Sequence, residues 1–212
     1  MGPRTLEAPP RTPDLPIGGD PFSGGGGGTA RPGRPGAAPA SIAVWLLVGS
    51  VTILFAAFTS TYLARRGEAD WSVGPLPGAL YVSTALLILS SLVLEWARRQ
   101  GGRGRIEALR AGLLVATVLG LGFLAAQIAA WRQLAALGVF LSTNPHSSFL
   151  YLLTGAHALH VTGGLLGLAY AVVQARRAEG AEIALRSADP ATTFWHFLDG
   201  LWVYLFVILF AL

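Results

Sequence analysis

Ionisable side chains lie inside two long apolar segments of this 212-residue chain. His157 and His160 are three residues apart in one segment, and His196 and Asp199 are three apart in the other. Residues three apart on a helix share a face, so each pair could bind a metal, pass a proton or hydrogen-bond a neighbouring helix. Because such groups are costly in hydrocarbon, we expect them to face protein, lipid headgroups or water.

Two interpretations of these pairs stay open. Together they offer four ligands on two helices, as an intramembrane metalloenzyme would need, or the imidazoles hydrogen-bond neighbouring helices and fix the packing. At 1.5 Å per residue, the predicted spans place His160 about 8 Å deeper than Asp199. That offset disfavours a shared metal, and a bis-histidine haem would need imidazoles facing each other at one level. We therefore predict no catalytic residue, no metal site and no cofactor site in this chain.

The elements that hold these groups are membrane helices. Charged residues make up 12% of the chain, against about 25% in soluble domains. Five apolar segments are each near the ~20 residues that cross a bilayer. We predict an all-α integral membrane protein, a five-helix transmembrane bundle in residues 41–212. The predicted spans are about 42–63, 77–97, 111–131, 148–174 and 192–212.

The first 40 residues are rich in Pro and Gly and have no apolar periodicity. Residues 1–40 are therefore predicted to be a disordered tail, since they cannot bury enough apolar surface to offset their conformational entropy. Five spans place twelve arginines, four of them in the tail, on one side of the membrane and three on the other. This asymmetry predicts a cytoplasmic N-terminus and an external C-terminus. It also explains the net charge of +4 without a nucleic-acid partner.

Two further polar residues fall within predicted spans. Gln127 is an uncharged group inside the third span, where we expect an interhelical hydrogen bond. Glu95 lies one turn from Arg98 and Arg99 and is expected to form a solvated ion pair. The sequence shows no inverted repeat of the kind that transporters carry, so a small transporter is a weaker third hypothesis.

Two motifs carry a family resemblance. The fourth segment contains Thr154-Gly-x-His-x-x-His-Val-x-x-Gly164, and the last contains Trp195-His-Phe-x-Asp-x-x-Trp202. Phe123-x3-Gln-x3-Trp131 supports them. With these motifs the chain resembles subunit III of the haem-copper oxidases, the cytochrome c oxidase and quinol oxidase family, over about residues 42–212. The resemblance is to the short five-helix form found in many bacteria.

The resemblance implies a non-catalytic subunit of a respiratory terminal oxidase in a bacterial inner membrane. Such a subunit supports oxygen reduction and proton translocation in its partner. It implies direct packing against the catalytic subunit I, which carries haem and copper, proximity to subunit II and to small subunits, and bound phospholipid. The family-signature residues are then packing or lipid-adjacent groups. They are Gln127, Thr154, His157, His160, Gly164, Trp195, His196, Asp199 and Trp202.

The chain departs from the family pattern at two places. Val51 follows Ser50, and Ala130 precedes Trp131, where family members commonly carry an acidic residue. A carboxylate role at either position is therefore not expected here. The electron donor, cytochrome c or quinol, stays open, and so does a subunit III-like role beside a nitric oxide reductase.

Overall fold

The computed structural model describes residue 2 and residues 39–68, 71 and 77–210. Within these residues the chain forms five α-helices and no strand. The helices are α1 Pro39–Arg65, α2 Ala79–Gly102, α3 Ile106–Ala136, α4 Pro145–Arg177 and α5 Ala181–Phe210. All five are long and apolar enough to cross a membrane, which confirms the predicted fold class. The predicted tail lies outside the described residues apart from residue 2 and its last two residues.

The helices α1, α3 and α4 extend at both ends beyond the apolar segments that predicted them, because their polar flanking residues are also helical. The largest difference is in α5, which was predicted from about residue 192 and begins at Ala181. Pro190 lies inside this helix, although proline removes one backbone hydrogen bond. Packing holds the early part in place, since Ala184 and Ala188 are buried in the core and Leu185 contacts the α2 backbone at Gly101.

Glycine residues and a capping side chain end and begin helices at two of the inter-helix turns. Gly104 (φ 78°) ends the connection from α2 to α3, and Gly138 (φ 75°) follows α3; both lie in the left-handed region that favours glycine. At the start of α4, the side chain of Asn144 accepts a hydrogen bond from the Ser147 amide at 2.8 Å, and Pro145 occupies the first turn. These are standard stop and start signals for helices.

The helices pair in an antiparallel bundle with α1 attached at one side. In α2 and α3, Gly101 lies opposite Leu109 and the amide of Ala79 lies opposite Gln133, so the two helices run in opposite directions. Helix α5 contacts each of the other four, and α4 packs on both α3 and α5. Helix α1 contacts α4 and α5, whereas among the described residues no contact joins it to α2 or α3.

Candidate functional site: polar groups inside the bundle

His157 is enclosed by aromatic rings at the centre of the bundle. Its exposed fraction is 0%, and its ring lies 5.0 Å from Trp202, 5.8 Å from Phe123 and 6.5 Å from Phe55 between centroids. Neither ring nitrogen has a hydrogen-bond partner among the described residues. His157 therefore joins α4 to α1, α3 and α5 by ring packing, and the predicted hydrogen bond to a neighbouring helix is not found.

His160 lies one turn further along α4, at the edge of the bundle. Its Nδ1 is 2.7 Å from the carbonyl oxygen of Ala156 in the same helix, and its ring is 5.7 Å from Phe55. This imidazole also contacts its neighbour through the ring, and its hydrogen bond is internal to α4. The predicted packing role of the two histidines stays a prediction, but it would act through aromatic contacts and not through interhelical hydrogen bonds.

The predicted vertical offset between His160 and Asp199 is wrong. The Trp202 ring touches His157, and a Cβ added at Gly164 would lie 3.0 Å from Leu198 Cδ1, so in this antiparallel pair His160 is level with residues 199 and 200. The error arose because α5 begins earlier than predicted. The side chains nevertheless face different helices, since His160 contacts Phe55 of α1 and His196, one turn before Asp199 on α5, contacts Ser91 of α2. No group of three or more His, Cys, Asp and Glu side chains able to hold a metal occurs in the part of the chain that the structure describes.

His196 and Asp199 belong to a polar cluster that spans α2 and α5. Ser91 Oγ is 2.5 Å from His196 Nδ1, and Asp199 lies one turn further along α5 than His196. The second imidazole nitrogen, Nε2, is 3.9 Å from Glu95 Oε2. We call Ser91, Glu95, His196 and Asp199 the α2/α5 polar cluster. From the sequence, Glu95 and the His196–Asp199 pair are expected to be separate, and Ser91 does not stand out as their neighbour.

Ion pairs lie at the end of this cluster, near the α2–α3 turn. Arg99 Nε is 2.7 Å from Glu95 Oε1, which confirms the expected ion pair of Glu95. Arg98 pairs across the helices with Asp189 at 3.0 Å. Both arginines are at least half exposed, so this end of the cluster is open to the surroundings of the bundle.

Two tryptophans of the signature motifs donate to threonines of other helices. Trp131 Nε1 donates to Thr154 Oγ1 at 3.1 Å, and Trp202 Nε1 donates to Thr84 Oγ1 at 2.9 Å. Each pair is an interhelical tie, from α3 to α4 and from α5 to α2. A buried indole N–H usually finds such an acceptor, and these two tryptophans find it on a neighbouring helix.

The remaining signature residues are buried contacts. Gln127 has an exposed fraction of 1%, yet its amide nitrogen and oxygen have no hydrogen-bond partner among the described residues, so the expected interhelical bond is absent. Trp195 is fully buried and packs against the backbone of α4 at Gly164 and of α3 at Gly120. The small residues let this large ring lie between three helices.

Arg110 fastens the end of α4 to α3. Its guanidinium donates to the backbone carbonyls of Ala175 at 2.8 Å and Ala178 at 2.9 Å, and it also pairs with Glu107 at 2.6 Å. The last carbonyls of a helix have no partner within the helix. A cation placed there satisfies them and complements the helix dipole. From the sequence, Arg110 is only one of the twelve arginines on the side predicted to be cytoplasmic, and its bonds to α4 are not evident.

A groove of about 620 Å³ separates α1 from α4 and α5. Its walls are apolar, with Val44 and Leu47 on one side and Leu159 and Phe194 on the other, and its floor is formed by glycines of α4. Arg186 lies among its lining residues towards the start of α5. The α1/α4/α5 groove thus combines an apolar trough with one cation.

Comparison with known proteins matches this architecture to one family. The family model described as cytochrome c oxidase subunit III matches residues 71–212. Over 179 residues the chain is 32% identical to the cytochrome c oxidase subunit 3 of Alkalihalophilus pseudofirmus, covering 79% of this chain and 84% of that protein. It is 29% identical over 182 residues to the probable cytochrome c oxidase subunit 3 of Mycobacterium tuberculosis, covering 84% and 89%. It is also 29% identical over 174 residues to the cytochrome bo(3) ubiquinol oxidase subunit 3 of Pseudomonas putida, covering 79% and 83%.

Proposed function

This chain belongs to the cytochrome c oxidase subunit III family, and we propose that it is a non-catalytic subunit of a respiratory haem-copper terminal oxidase. The observation that carries the proposal is the family match, whose model covers residues 71–212 and so four of the five helices that are long and apolar enough to cross a membrane. In this role it packs against the catalytic subunit I and stabilises it, with subunit II and small subunits in the same complex. Haem and copper reside in those partners.

The interior of the bundle supports a structural role. The signature side chains that join helices do so through ring contacts and indole–threonine bonds: His157 with Trp202, Trp131 with Thr154, and Trp202 with Thr84. Buried contacts of this kind stabilise a rigid bundle whose outer surface can dock on a partner. The exposed faces carry large apolar side chains, among them Trp45, Leu46 and Ile53 of α1. Such faces suit lipid or a partner's helices.

Phospholipid binding is assigned to the α1/α4/α5 groove. An acyl chain fits the apolar trough, and the guanidinium of Arg186 would lie beside the phosphate of the headgroup. Arg186 also pairs with Glu182 at 2.7 Å, and both side chains are largely exposed. The arginine can therefore exchange that carboxylate for a phosphate at little cost, because exposed ion pairs are weak.

The orientation of the chain follows from its arginines. Arginines cluster in the α2–α3 loop and in the helix ends that flank the α2–α3 and α4–α5 loops, and we assign this side to the cytoplasm of a bacterial inner membrane. The C-terminal end of α5 then lies outside. The segment that precedes α1 is assigned to the cytoplasm as well.

The first test is purification of the tagged chain in a gentle detergent, with an optical spectrum and mass spectrometry of the copurifying proteins. The expected result is a haem spectrum together with a large, many-helix oxidase subunit. A nitric oxide reductase catalytic subunit in its place would assign the chain to that related complex. A colourless chain that purifies alone with stoichiometric metal would overturn the proposal in favour of a metalloenzyme.

Lipid binding is tested by filling the groove. Gly163→Leu places a side chain in the trough, where a Cβ meets nothing within 4 Å, so the bundle itself is not strained. The matched control is Gly49→Leu, which also adds a side chain in open space but outside the groove. The expected result is loss of tightly bound phospholipid in the first variant alone. Equal phospholipid in both variants would contradict the assignment of the groove.

A further inference from the structure

A row of residues on α5 faces outward from the bundle. The row consists of His196, Gly200, Val203 and Val207, whose spacing places them on one face of the helix. The His196 side chain is 34% exposed, Gly200 is exposed, and the two valines are 41% and 45% exposed. We call this row the α5 outer strip.

The α5 outer strip lies in a cleft between α1 and α2. On one side, Thr52 and Ala56 of α1 line a recess of about 400 Å³ together with His196 and Gly200. On the other side, Ser91 of α2 contacts His196 at 2.5 Å. Among the described residues α1 and α2 do not touch each other. The cleft is therefore open to whatever surrounds the bundle in the membrane.

Asp199 lies beside the strip, at its α2 edge. It is three residues along α5 from each of two contacts with α2, the contact of His196 with Ser91 and the indole bond of Trp202. Residues 85–89 of α2, which lie between these contacts, are all apolar. Oδ1 of Asp199 has no hydrogen-bond partner among the described residues. This edge of the cleft therefore holds an acceptor that still needs a donor.

The depth of Asp199 decides what can supply that donor. The ion pair of Arg98 with Asp189 marks the charged rim of the bundle, and from Asp189 to Asp199 the α5 axis advances about 15 Å. Because the hydrocarbon is about 30 Å thick, Asp199 lies near its middle, beyond the reach of lipid headgroups. The side chain is only half-buried. A carboxyl group at this depth is costly beside acyl chains, which offer no hydrogen bond, and such groups face protein or water.

The charges around the cleft favour a donor from another chain. The two arginines of α2 nearest to it are already paired, Arg98 with Asp189 at 3.0 Å and Arg99 with Glu95 at 2.7 Å. Helix α1 has no charged residue before its last turn. Among the described residues no arginine therefore pairs with Asp199, and the carboxylates of Glu95 and Asp199 give the cleft an acidic character.

We propose that the α5 outer strip docks a transmembrane helix of a partner protein, and that this helix presents a hydrogen-bond donor side chain to Asp199. Gly200 lets the two helices approach closely, because a Cβ there meets nothing within 4 Å and small residues are typical of contacts between membrane helices. From His196 to Val207 the strip is about 16 Å long, or three turns. Docking requires a membrane partner and so rests on the proposed function.

Photocrosslinking of the full-length chain in its native membrane complex tests the docking. Tyr204 lines the same recess and is 45% exposed, so photoreactive azidophenylalanine in its place keeps an aromatic ring. The expected adduct is with a membrane-spanning segment of a partner, carrying a donor side chain within two turns of the adduct. The matched control is Tyr170, which is 61% exposed in the α1/α4/α5 groove and should not react with that segment. An adduct of Tyr204 with lipid, with a second copy of the chain or with a segment lacking a donor overturns the proposal.

Filling the strip provides a second measurement. Gly200→Leu should reduce the copurifying partner by about tenfold, the effect of overpacking a close contact, while its SDS titration stays close to that of the unmodified chain. The matched control is Gly155→Leu, whose Cβ also meets nothing within 4 Å but lies on the α3 side of α4, and it should keep the partner. Equal retention in the two variants overturns the docking site and leaves the proposed function standing. A chain that purifies without any membrane partner overturns both.

Discussion

The closest approach of α2 and α3 gives a sharp prediction. Gly112 of α3 faces Ala97 of α2, and a Cβ added at Gly112 would overlap the Ala97 Cβ and lie 3.3 Å from the Ala97 Cα. Neither atom can rotate away, because both belong to or adjoin the backbone. Carbon atoms pack best at about 3.5–4.0 Å, so Gly112→Ala must push the two helices apart.

The expected magnitude follows from two opposing effects. Overpacking a close contact costs about 1–3 kcal/mol, and replacing a helical glycine by alanine returns about 0.5–1 kcal/mol. The rigid backbone contact places this site at the upper end, so Gly112→Ala should lower the free energy of unfolding by about 2 kcal/mol. The matched control is Gly122→Ala in the same helix, whose new Cβ meets only the flexible end of Leu86 at 3.5 Å. That variant should be slightly more stable, by about 0.5–1 kcal/mol.

A compensating change isolates the mechanism. Ala97→Gly alone should cost about 1 kcal/mol through helix propensity, but in the Gly112→Ala background it removes the overlap. The double variant should return close to the unmodified stability, a coupling of about 2–3 kcal/mol. The assay is an SDS titration in mixed micelles followed by circular dichroism. Additive effects of the two substitutions, or equal effects of Gly112→Ala and Gly122→Ala, would refute this account of the helix interface.

Two further predictions concern interhelical bonds. Thr84→Val removes the acceptor of the buried Trp202 indole and should destabilise the protein by about 1–3 kcal/mol. The matched control is Thr117→Val, because the Thr117 hydroxyl donates to the Leu113 carbonyl within α3, and it should change stability less in the same SDS titration. Equal losses in the two variants would contradict the role of the indole bond. Arg110→Lys keeps the charge but cannot reach both the Ala175 and Ala178 carbonyls with one ammonium group. It should speed amide hydrogen exchange in the last turn of α4, whereas Arg186→Lys, at an exposed ion pair, should not.

The sequence was sufficient for the number, order and approximate limits of the helices. Apolar length decides whether a segment crosses a membrane, and each of the five segments meets that requirement without help from its neighbours. The start of α5 was missed because Pro190 is a local stop signal. Contacts of Ala184, Leu185 and Ala188 with other helices outweigh it, and such contacts cannot be read from the segment itself.

The candidate site could be predicted only in part, because contacts between helices cannot be read from a single segment. His196 and Asp199 stand out because they are ionisable in an apolar segment. Ser91 is an ordinary residue until α2 is known to lie beside α5, with position 91 opposite position 196. Its spacing of four residues from Glu95 was the one local signal that could have joined it to the cluster. The prediction of an interhelical hydrogen bond for Gln127 was wrong, because a polar residue within a span does not indicate where a hydrogen-bond partner lies.

The attachment of α1 has a consequence for synthesis. This helix touches only α4 and α5 among the described helices, and 79 residues separate its last residue, Arg65, from Pro145 at the start of α4. At about 5–20 residues per second, α1 leaves the ribosome roughly 4–16 seconds before its first partner begins to emerge. Helices α2 and α3 can pair as a hairpin in that interval, while α1 remains in the bilayer or beside the insertion machinery without its partners α4 and α5. Helix α1 therefore cannot begin to dock in the bundle until α4 has been made.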